Sequence, residues 1–404
     1  MTGRTIIIGA SHAGVAVAAK LRAHAPDASI TLISAEDNFP VQRPVLSKAY
    51  LSGRSTLDYI YLRAPEWYAD NNIELMRGTK VASIDTATKS IALADGSALK
   101  FDNLVIATGA TPRRLPAEIG GHLPNVFVVR DLGDADRLKA TLHEGQRLVV
   151  IGGGYIGLEA ASEASKMGVS VTVLEAAERI VQRVASKETS DVLRDLHLTN
   201  GVDIREGVQV SHIVETNGIA SGVQLKDGSV IPADLVIVGI GITPNLALAA
   251  DAGLQTGNGI IVDAQLRTSD PSIYALGDCA AFPKDGTLMR LESVQNAHDQ
   301  GALVAANIAG ENNTYNEVPW FWSDQFDLNL QIAGLNTGYD NIVVRTSEGR
   351  RAHFYFKGDK FLAVDCFNDA LTFAMSRKIL ELGKSLTREQ AGDAAVSLKA
   401  IVKG

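Results

Sequence analysis

Residues 148–175 read LVVIGGGYIGLEAASEASKMGVSVTVLE, and the order of residue types in this stretch decides the fold. Four apolar β-formers, Leu148 to Ile151, run into Gly152-x-Gly154-x-x-Gly157. An Ala-rich helical pattern follows, and a second apolar run, Val169 to Leu174, ends on Glu175. The pattern predicts strand, tight turn, helix and strand. Gly152 permits the turn, Gly154 lets backbone N–H groups approach a pyrophosphate, and Gly157 lets the helix lie close on the strand with its positive end facing the phosphates. A carboxylate at Glu175 can accept from both hydroxyls of an adenosine ribose and repels a 2′-phosphate, so NADH is expected over NADPH. A glycine triplet alone is weak evidence, whereas the complete set of strand, turn, helix, strand and acid is specific.

The chain opens on a second copy of the same pattern. Arg4 to Ile8 reads as a strand, Gly9-x-Ser11-x-x-Gly14 as the turn, Val15 to His24 as a helix and Ile30 to Ile33 as the next strand. Ser11 stands where the middle glycine belongs, and its small side chain still lets backbone come near a pyrophosphate. Glu36 or Asp37 is the candidate ribose acid. Two dinucleotide folds in one chain imply two dinucleotides. Two further pieces belong with the first copy. Leu104 to Arg113 is a strand ending in Ala107-Thr108-Gly109, small residues that let a chain crossing pass close to a cofactor. Ser272 to Asp278 is a buried strand running into Gly277-Asp278, where a carboxylate can accept from ribityl hydroxyls.

Composition narrows the function classes. The 404 residues suffice for two or three domains, each with its own core. A net charge of −8, with no dense basic run, argues against nucleic acid as a partner. No apolar run approaches the roughly 20 residues of a membrane span, and Ile6 to Ile8 is too short for a signal-peptide core, so a cytoplasmic protein is expected. Cys279 and Cys366 lie far apart without C-x-x-C or metal-ligand spacing; they read as buried reduced thiols, and no metal site is expected.

The pieces at 9–14, 107–113 and 277–278 resemble the FAD-binding signature of two-dinucleotide-domain flavoproteins of the glutathione reductase type. The resemblance implies an α/β chain with two Rossmann-like dinucleotide-binding domains, for FAD and NAD, plus a C-terminal α+β domain. The FAD domain is then split into 1–115 and 243–318, with the NADH domain at 116–242 inserted and 319–404 following. Pro112 and Pro116 punctuate the entry, and Gly239-x-Gly241-x-x-Pro244 the exit. Gln42 to Lys48 contains no cysteine where disulfide reductases carry their redox-active pair, which excludes dithiol and flavin-cysteine chemistry. Gln42-Arg43-Pro44-Val45-Leu46-Ser47-Lys48, Arg290 to Ala297 and Pro319 to Gln325 together resemble the NADH-dependent ferredoxin reductases of bacterial oxygenase systems.

That resemblance implies bound FAD, NADH as co-substrate and a [2Fe-2S] ferredoxin as single-electron acceptor. The cluster belongs to the ferredoxin, since two cysteines cannot ligate one. For FAD it points to Gly9, Ala10, Ser11, His12, Ala13 and Gly14 at the pyrophosphate, and to Arg43, Lys48, Val81, Ala107, Thr108, Gly109, Arg130, Asp278 and Val294. Ala35 stands where many relatives have Asp, which moves the ribose carboxylate to Glu36. For NADH it points to Gly152, Gly154, Tyr155, Ile156, Gly157, Glu159, Glu175 and Gly241. Trp320 by residue type alone reads as core; the resemblance places it beside the isoalloxazine and nicotinamide rings. Lys48, Glu159 and Trp320 are the catalytic candidates, with Lys48 and Glu159 expected as an ion pair within about 4 Å beside flavin N5.

Val294 is expected to open a helix whose N-terminal dipole faces the flavin N1 and O2 edge. Beyond Trp320, strands are expected at Leu328 to Ala333, Asn341 to Arg345, Arg351 to Lys357 and Lys360 to Asp365, then a terminal helix from Phe367 to Gly383. In the resembling family this region covers the flavin, and a dimerisation domain is the alternative. A monomer is expected, with a dimer as the other reading. Arg290, Arg345, Arg350, Arg351, Arg377, Lys378 and Lys384 are candidates for a basic docking cluster. Rival functions are an NADH oxidase, a rubredoxin reductase and a regulatory binder of the apoptosis-inducing-factor type.

Overall fold

A computed structural model describes residues 3–404. Its contacts divide the chain into two units. One holds the residues through 43 with 56–111 and 242–317; the other holds 44–55, 112–241 and 318–404.

The first unit is built on a five-stranded parallel sheet in the order Ile273–Ala275, Asn103–Ile106, Arg4–Ile8, Ser29–Ile33, Ile73–Met76. Parallel strands covered on both faces need unbroken apolar runs rather than alternation, and Ile6, Ile7, Leu32, Leu104, Val105 and Ile273 are accordingly buried. Helix His12–His24 follows the central strand and packs against helix Val294–Ile308. Close approach there depends on Gly301, where a Cβ would lie 2.7 Å from the Ala16 Cβ. The second helix opens at Val294, as the sequence predicts, with Ser293 as N-cap accepting from Asn296 N–H.

The second unit repeats the arrangement. Its parallel sheet runs Asp203–Arg205, Ser170–Leu174, Arg147–Ile151, Leu235–Val238, Val126–Phe127, again with the motif strand in the centre. A five-stranded antiparallel sheet, in the order Trp320–Gln325, Leu328–Gly334, Lys360–Phe367, Arg350–Lys357, Asn341–Ser347, belongs to the same unit. So does segment 44–55, for which the reasons are local. Leu51 is buried in one core with Phe127, Leu138 and Leu158, and the Tyr50 hydroxyl donates to Asp136 at 2.6 Å.

The terminal helix is shorter than the sequence suggests, Ala370–Glu381 instead of Phe367 to Gly383. Phe367 completes the strand, Asn368 takes a positive φ of 54°, and Asp369 caps the helix through Thr372 N–H. Two short helices, Arg388–Gly392 and Leu398–Lys403, follow it without having been anticipated. The first was readable: Thr387 and Gln390 form a reciprocal capping box, which T-x-x-Q announces.

Candidate functional site

Each central strand ends in the same steric device. A Cβ on Gly9 would lie 2.2 Å from the Ala107 carbonyl oxygen, and one on Gly152 would lie 2.4 Å from that of Gly239. The turn therefore touches the neighbouring strand's continuation at the switch point of each sheet, where α/β folds bind ligands. Gly14 and Gly157 sit against their own turns, where a Cβ would meet the Gly9 carbonyl at 1.9 Å and the Gly152 carbonyl at 2.3 Å. Gly154 and Gly241 instead face open space.

Both candidate acids are held by neighbouring donors. Glu175 accepts from Gly153 N–H at 2.7 Å and from Ala177 N–H at 2.8 Å, which fixes its carboxylate against the second turn. Glu36 pairs with Arg43, whose Nε lies 3.4 Å from Ser11 Oγ. Ser11 thus contributes a hydroxyl as well as small size. His12, buried, accepts from Arg43 N–H through Nε2 at 3.2 Å.

An ion pair lies inside the second unit. Lys48 Nζ is 3.1 Å from Glu159 Oε1, with the two side chains 14% and 6% exposed. Glu159 also accepts from Ser323 Oγ at 2.7 Å and Ser47 Oγ at 3.2 Å, and Lys48 has a second carboxylate, Asp324, at 3.3 Å. Burial pushes the Glu159 carboxyl above its ordinary value, against the opposing pull of Lys48, Ser323 and Ser47. One helical turn on, buried Glu163 takes Arg54 at 2.5 Å. The i, i+4 spacing puts both acids on one face of helix Tyr155–Lys166, and segment 44–55 answers each with a cation. Ser47, Ser323 and Asp324 were not singled out from sequence, although all three lie inside the quoted motifs.

Other candidates divide by surroundings. Tyr155 opens the helix, packs at 5.0 Å on Phe321, and has a phenol pushed well up by burial, then by Asp365 and Tyr355. Ile156 is half exposed, unusual for so apolar a residue at a helix start. Thr108 is tied to Asn245 by two hydrogen bonds beside Gly109, and Asp278 sits in a 3-10 turn that Gln300 holds through Gly277 N–H. Val81 is buried in the core. Arg130 N–H donates to Asp134 at the start of a neighbouring helix. Trp320 is partly buried against Phe373 at 5.7 Å with Arg377 over its ring at 5.4 Å, and its indole N–H is buried without a hydrogen-bond partner among the described residues.

The proposed basic cluster does not survive as a set. Arg290 is committed to Glu292 and the Asp278 carbonyl, Arg345 to the carbonyls of Gln390, Ala394 and Val396, and Lys384 to those of Ile401 and Val402. Arg377 and Lys378 share Glu381. Arg350 and Arg351 remain exposed. The long basic side chains of this region close carbonyl-rich chain ends, a use that charge counting does not reveal. Both cysteines are buried and unpaired, and no helix among the described residues is long and apolar enough to cross a membrane.

A family model for pyridine nucleotide-disulphide oxidoreductases matches residues 3–301, and one for the reductase C-terminal domain matches 320–402. The chain is 42% identical to putidaredoxin reductase of Pseudomonas putida over 405 residues, covering 98% of this chain and 96% of that one. It is 43% identical to rhodocoxin reductase of Rhodococcus erythropolis over 398 residues, 98% and 93% of the two chains. The chain belongs to the pyridine nucleotide-disulphide oxidoreductase family, in its putidaredoxin reductase-like branch of NADH-dependent ferredoxin reductases. Among solved structures, the covalent putidaredoxin reductase-putidaredoxin complex superposes with a TM-score of 0.96 at 42% identity, covering 99% and 98% of the two chains. A ferredoxin reductase from Rhodopseudomonas palustris gives 0.95 at 42% identity, covering 98% and 99%.

As a flavoprotein oxidoreductase of this branch, the chain takes FAD as cofactor and NADH as co-substrate. Its own helix ends fit two dinucleotides. Of the helices of ten or more described residues, four carry a side-chain cap, at Asp131, Ser186, Ser293 and Asp369. The two without one are His12–His24 and Tyr155–Lys166, the helices that follow the glycine turns. Neither of these helices spends its first turn on a side-chain cap, an arrangement that suits a pyrophosphate at a helix N-terminus.

Proposed function

We propose that this chain takes a hydride from NADH onto FAD and passes the electrons singly to a [2Fe-2S] ferredoxin that serves an oxygenase. The observation that carries the reading is the buried Lys48–Glu159 pair, set on the second dinucleotide helix and in a segment without cysteine. FAD, when bound, accepts two electrons together and releases them one at a time. The residues of the chain bind and orient. The turn at Gly9 to Gly14, with Glu36, Arg43, Ala107 to Gly109, Val81, Arg130, Asp278 and Val294, would hold FAD; the turn at Gly152 to Gly157, with Tyr155, Ile156, Glu175 and Gly241, would hold NADH. Lys48 would supply positive charge beside the flavin, and Glu159 would orient the nicotinamide carboxamide. Trp320 would stand beside the rings.

The domain limits 1–115, 116–242, 243–318 and 319–404 belong to this reading, as does a monomer in the cytoplasm that uses neither nucleic acid nor membrane. Ferredoxin docking falls to exposed basic residues such as Arg350 and Arg351. The test is NADH-driven cytochrome c reduction by the FAD-loaded enzyme with purified [2Fe-2S] ferredoxins, a rubredoxin and no carrier. Ferredoxin-dependent turnover is expected. NADH consumption with oxygen uptake that no carrier increases would make the chain an oxidase, and turnover with rubredoxin alone would move it to the rubredoxin reductases, one of which, from Pseudomonas putida, is 41% identical over 84% of this chain.

A further inference from the structure

A chain of buried polar side chains ends on Glu159, and electron transfer as described makes no use of it. His197 Nε2 lies 2.9 Å from Gln325 Oε1, Gln325 Nε2 donates to Ser323 Oγ at 3.0 Å, and Ser323 Oγ lies 2.7 Å from Glu159 Oε1. His197, Gln325 and Ser323 are at most 1% exposed. Polar groups removed from water this fully are costly unless paired, and the direction of each bond follows from the chemistry of the two ends.

A Glu159 carboxylate, already accepting from Lys48 and Ser47, can only accept. Ser323 must then donate its single proton to Glu159 and accept from Gln325. That leaves the Gln325 carbonyl facing His197, so His197 carries its proton on Nε2. Its Nδ1 is buried and has no hydrogen-bond partner among the described residues, so no acceptor competes for that proton. Burial holds the imidazole neutral, its pKa lowered to about 4. With the tautomer fixed, turning the Gln325 amide over would set N–H against N–H at one end and break the chain.

We infer that His197, Gln325 and Ser323 are positioning residues that commit the Ser323 proton to Glu159, and so hold its carboxylate ionised and oriented beside Lys48. The inference rests on the reading of Glu159 as part of the NADH site. The other charges around Glu159 are Lys48 directly, Asp324 through Lys48, and Glu163 with Arg54 one turn along the helix.

Two measurements on the FAD-loaded protein test it. In ¹⁵N-histidine NMR without NADH, His197 should be neutral with its proton on Nε2; an Nδ1–H tautomer or an imidazolium at neutral pH overturns the inference. In stopped-flow reduction by NADH across pH, Ser323→Ala removes one donor to the ionised acid. The acid limb should therefore move up by about one pH unit or more. Gln325→Glu keeps the shape but offers Ser323 an acceptor instead of a donor, drawing its proton away from Glu159, and should move the limb the same way. Ser323→Thr should restore it. A limb that Glu159→Gln abolishes but Ser323→Ala and Gln325→Glu leave in place sinks the positioning role alone. A wild-type profile in Glu159→Gln sinks the reading of Glu159 itself.

Discussion

Lys48→Met is the sharpest perturbation of the ion pair, because it removes the charge and keeps most of the stem. Glu159 would keep Ser47 and Ser323 but lose its cation, and Asp324, a second carboxylate on the same ammonium, would lose its partner too. At 3.1 Å, in an effective dielectric of about 20, the attraction lost is about 5 kcal/mol, and breaking buried pairs costs about 3–5 kcal/mol. Protonation sets a ceiling. Holding a carboxyl of reference pKa about 4.3 neutral costs about 3.7 kcal/mol at pH 7 but only about 1 kcal/mol at pH 5. Burial already raises the Glu159 pKa in the native fold, so stability tied to it is fully present below the ordinary glutamate range and is lost as pH rises through the raised value. Lys48→Met moves that value further up and lengthens the window of loss. Denaturant unfolding at several pH values should show the variant less stable than the parent by up to about 3 kcal/mol at pH 7 and by under about 1 kcal/mol at pH 5. Flavin reduction by NADH should slow far more than FAD retention weakens. A stability difference independent of pH would refute the account of Glu159 as a charge kept ionised by Lys48.

Glu175→Gln should narrow the preference for NADH over NADPH by about tenfold or more in kcat/KM, since a carboxylate no longer faces the 2′-phosphate; equal use of both nucleotides by the parent enzyme would refute the role. Gly157→Ala should abolish NADH binding while FAD content stays near that of the parent, and Gly14→Ala should do the reverse, because each methyl strikes a carbonyl of its own turn only; binding titrations and the flavin spectrum separate the two. Asp365 is buried, accepts from Tyr355 and Thr189, and has its pKa raised to about 6, so its stabilising contribution is complete below the ordinary aspartate range and is lost as pH rises through 6. Asp365→Asn should escape that loss and gain on the parent by up to about 3 kcal/mol between pH 4 and pH 8 in chemical denaturation. Thr387→Ala should cost about 1 kcal/mol, read as a lower unfolding midpoint, through the capping box of the penultimate helix.

The fold was legible wherever a steric requirement is written in local sequence. Gly9, Gly14, Gly152 and Gly157 announce their turns because no other residue fits against the carbonyls they meet. The buried strands announce themselves as apolar runs because both faces are covered. Partnership across long separations was less legible. Gly301 reads as an unwelcome residue inside a helix until Ala16 is seen against it. Segment 44–55 lies in sequence between stretches of the first unit, yet Leu51, Tyr50 and Arg54 tie it to the second. Burial of Leu51 and the side-chain bonds of Ser47, Lys48, Tyr50 and Arg54 hold it there, and no composition shift marks it.

The site follows the same division. Lys48 and Glu159 were paired in advance only through resemblance; spacing alone gives no reason to join residues so far apart. Once they are joined, the sequence around them becomes interpretable. Glu163 and Arg54 repeat the pairing one turn on, and Ser47 and Ser323 bring hydroxyls to a carboxylate that burial would otherwise drive toward its neutral form. The structure thus raises the acid's proton affinity by burying it and lowers it again with one ammonium and two hydroxyls, a balance that no single residue expresses. Ser323 is the telling position, because its hydroxyl serves Glu159 only while Gln325 donates to it, and Gln325 can donate only while His197 keeps its proton on Nε2. Sequence reasoning sees a serine, a glutamine and a histidine in unrelated stretches. The polarity that joins them exists only after folding has buried all three and given each bonded atom along the chain a single role.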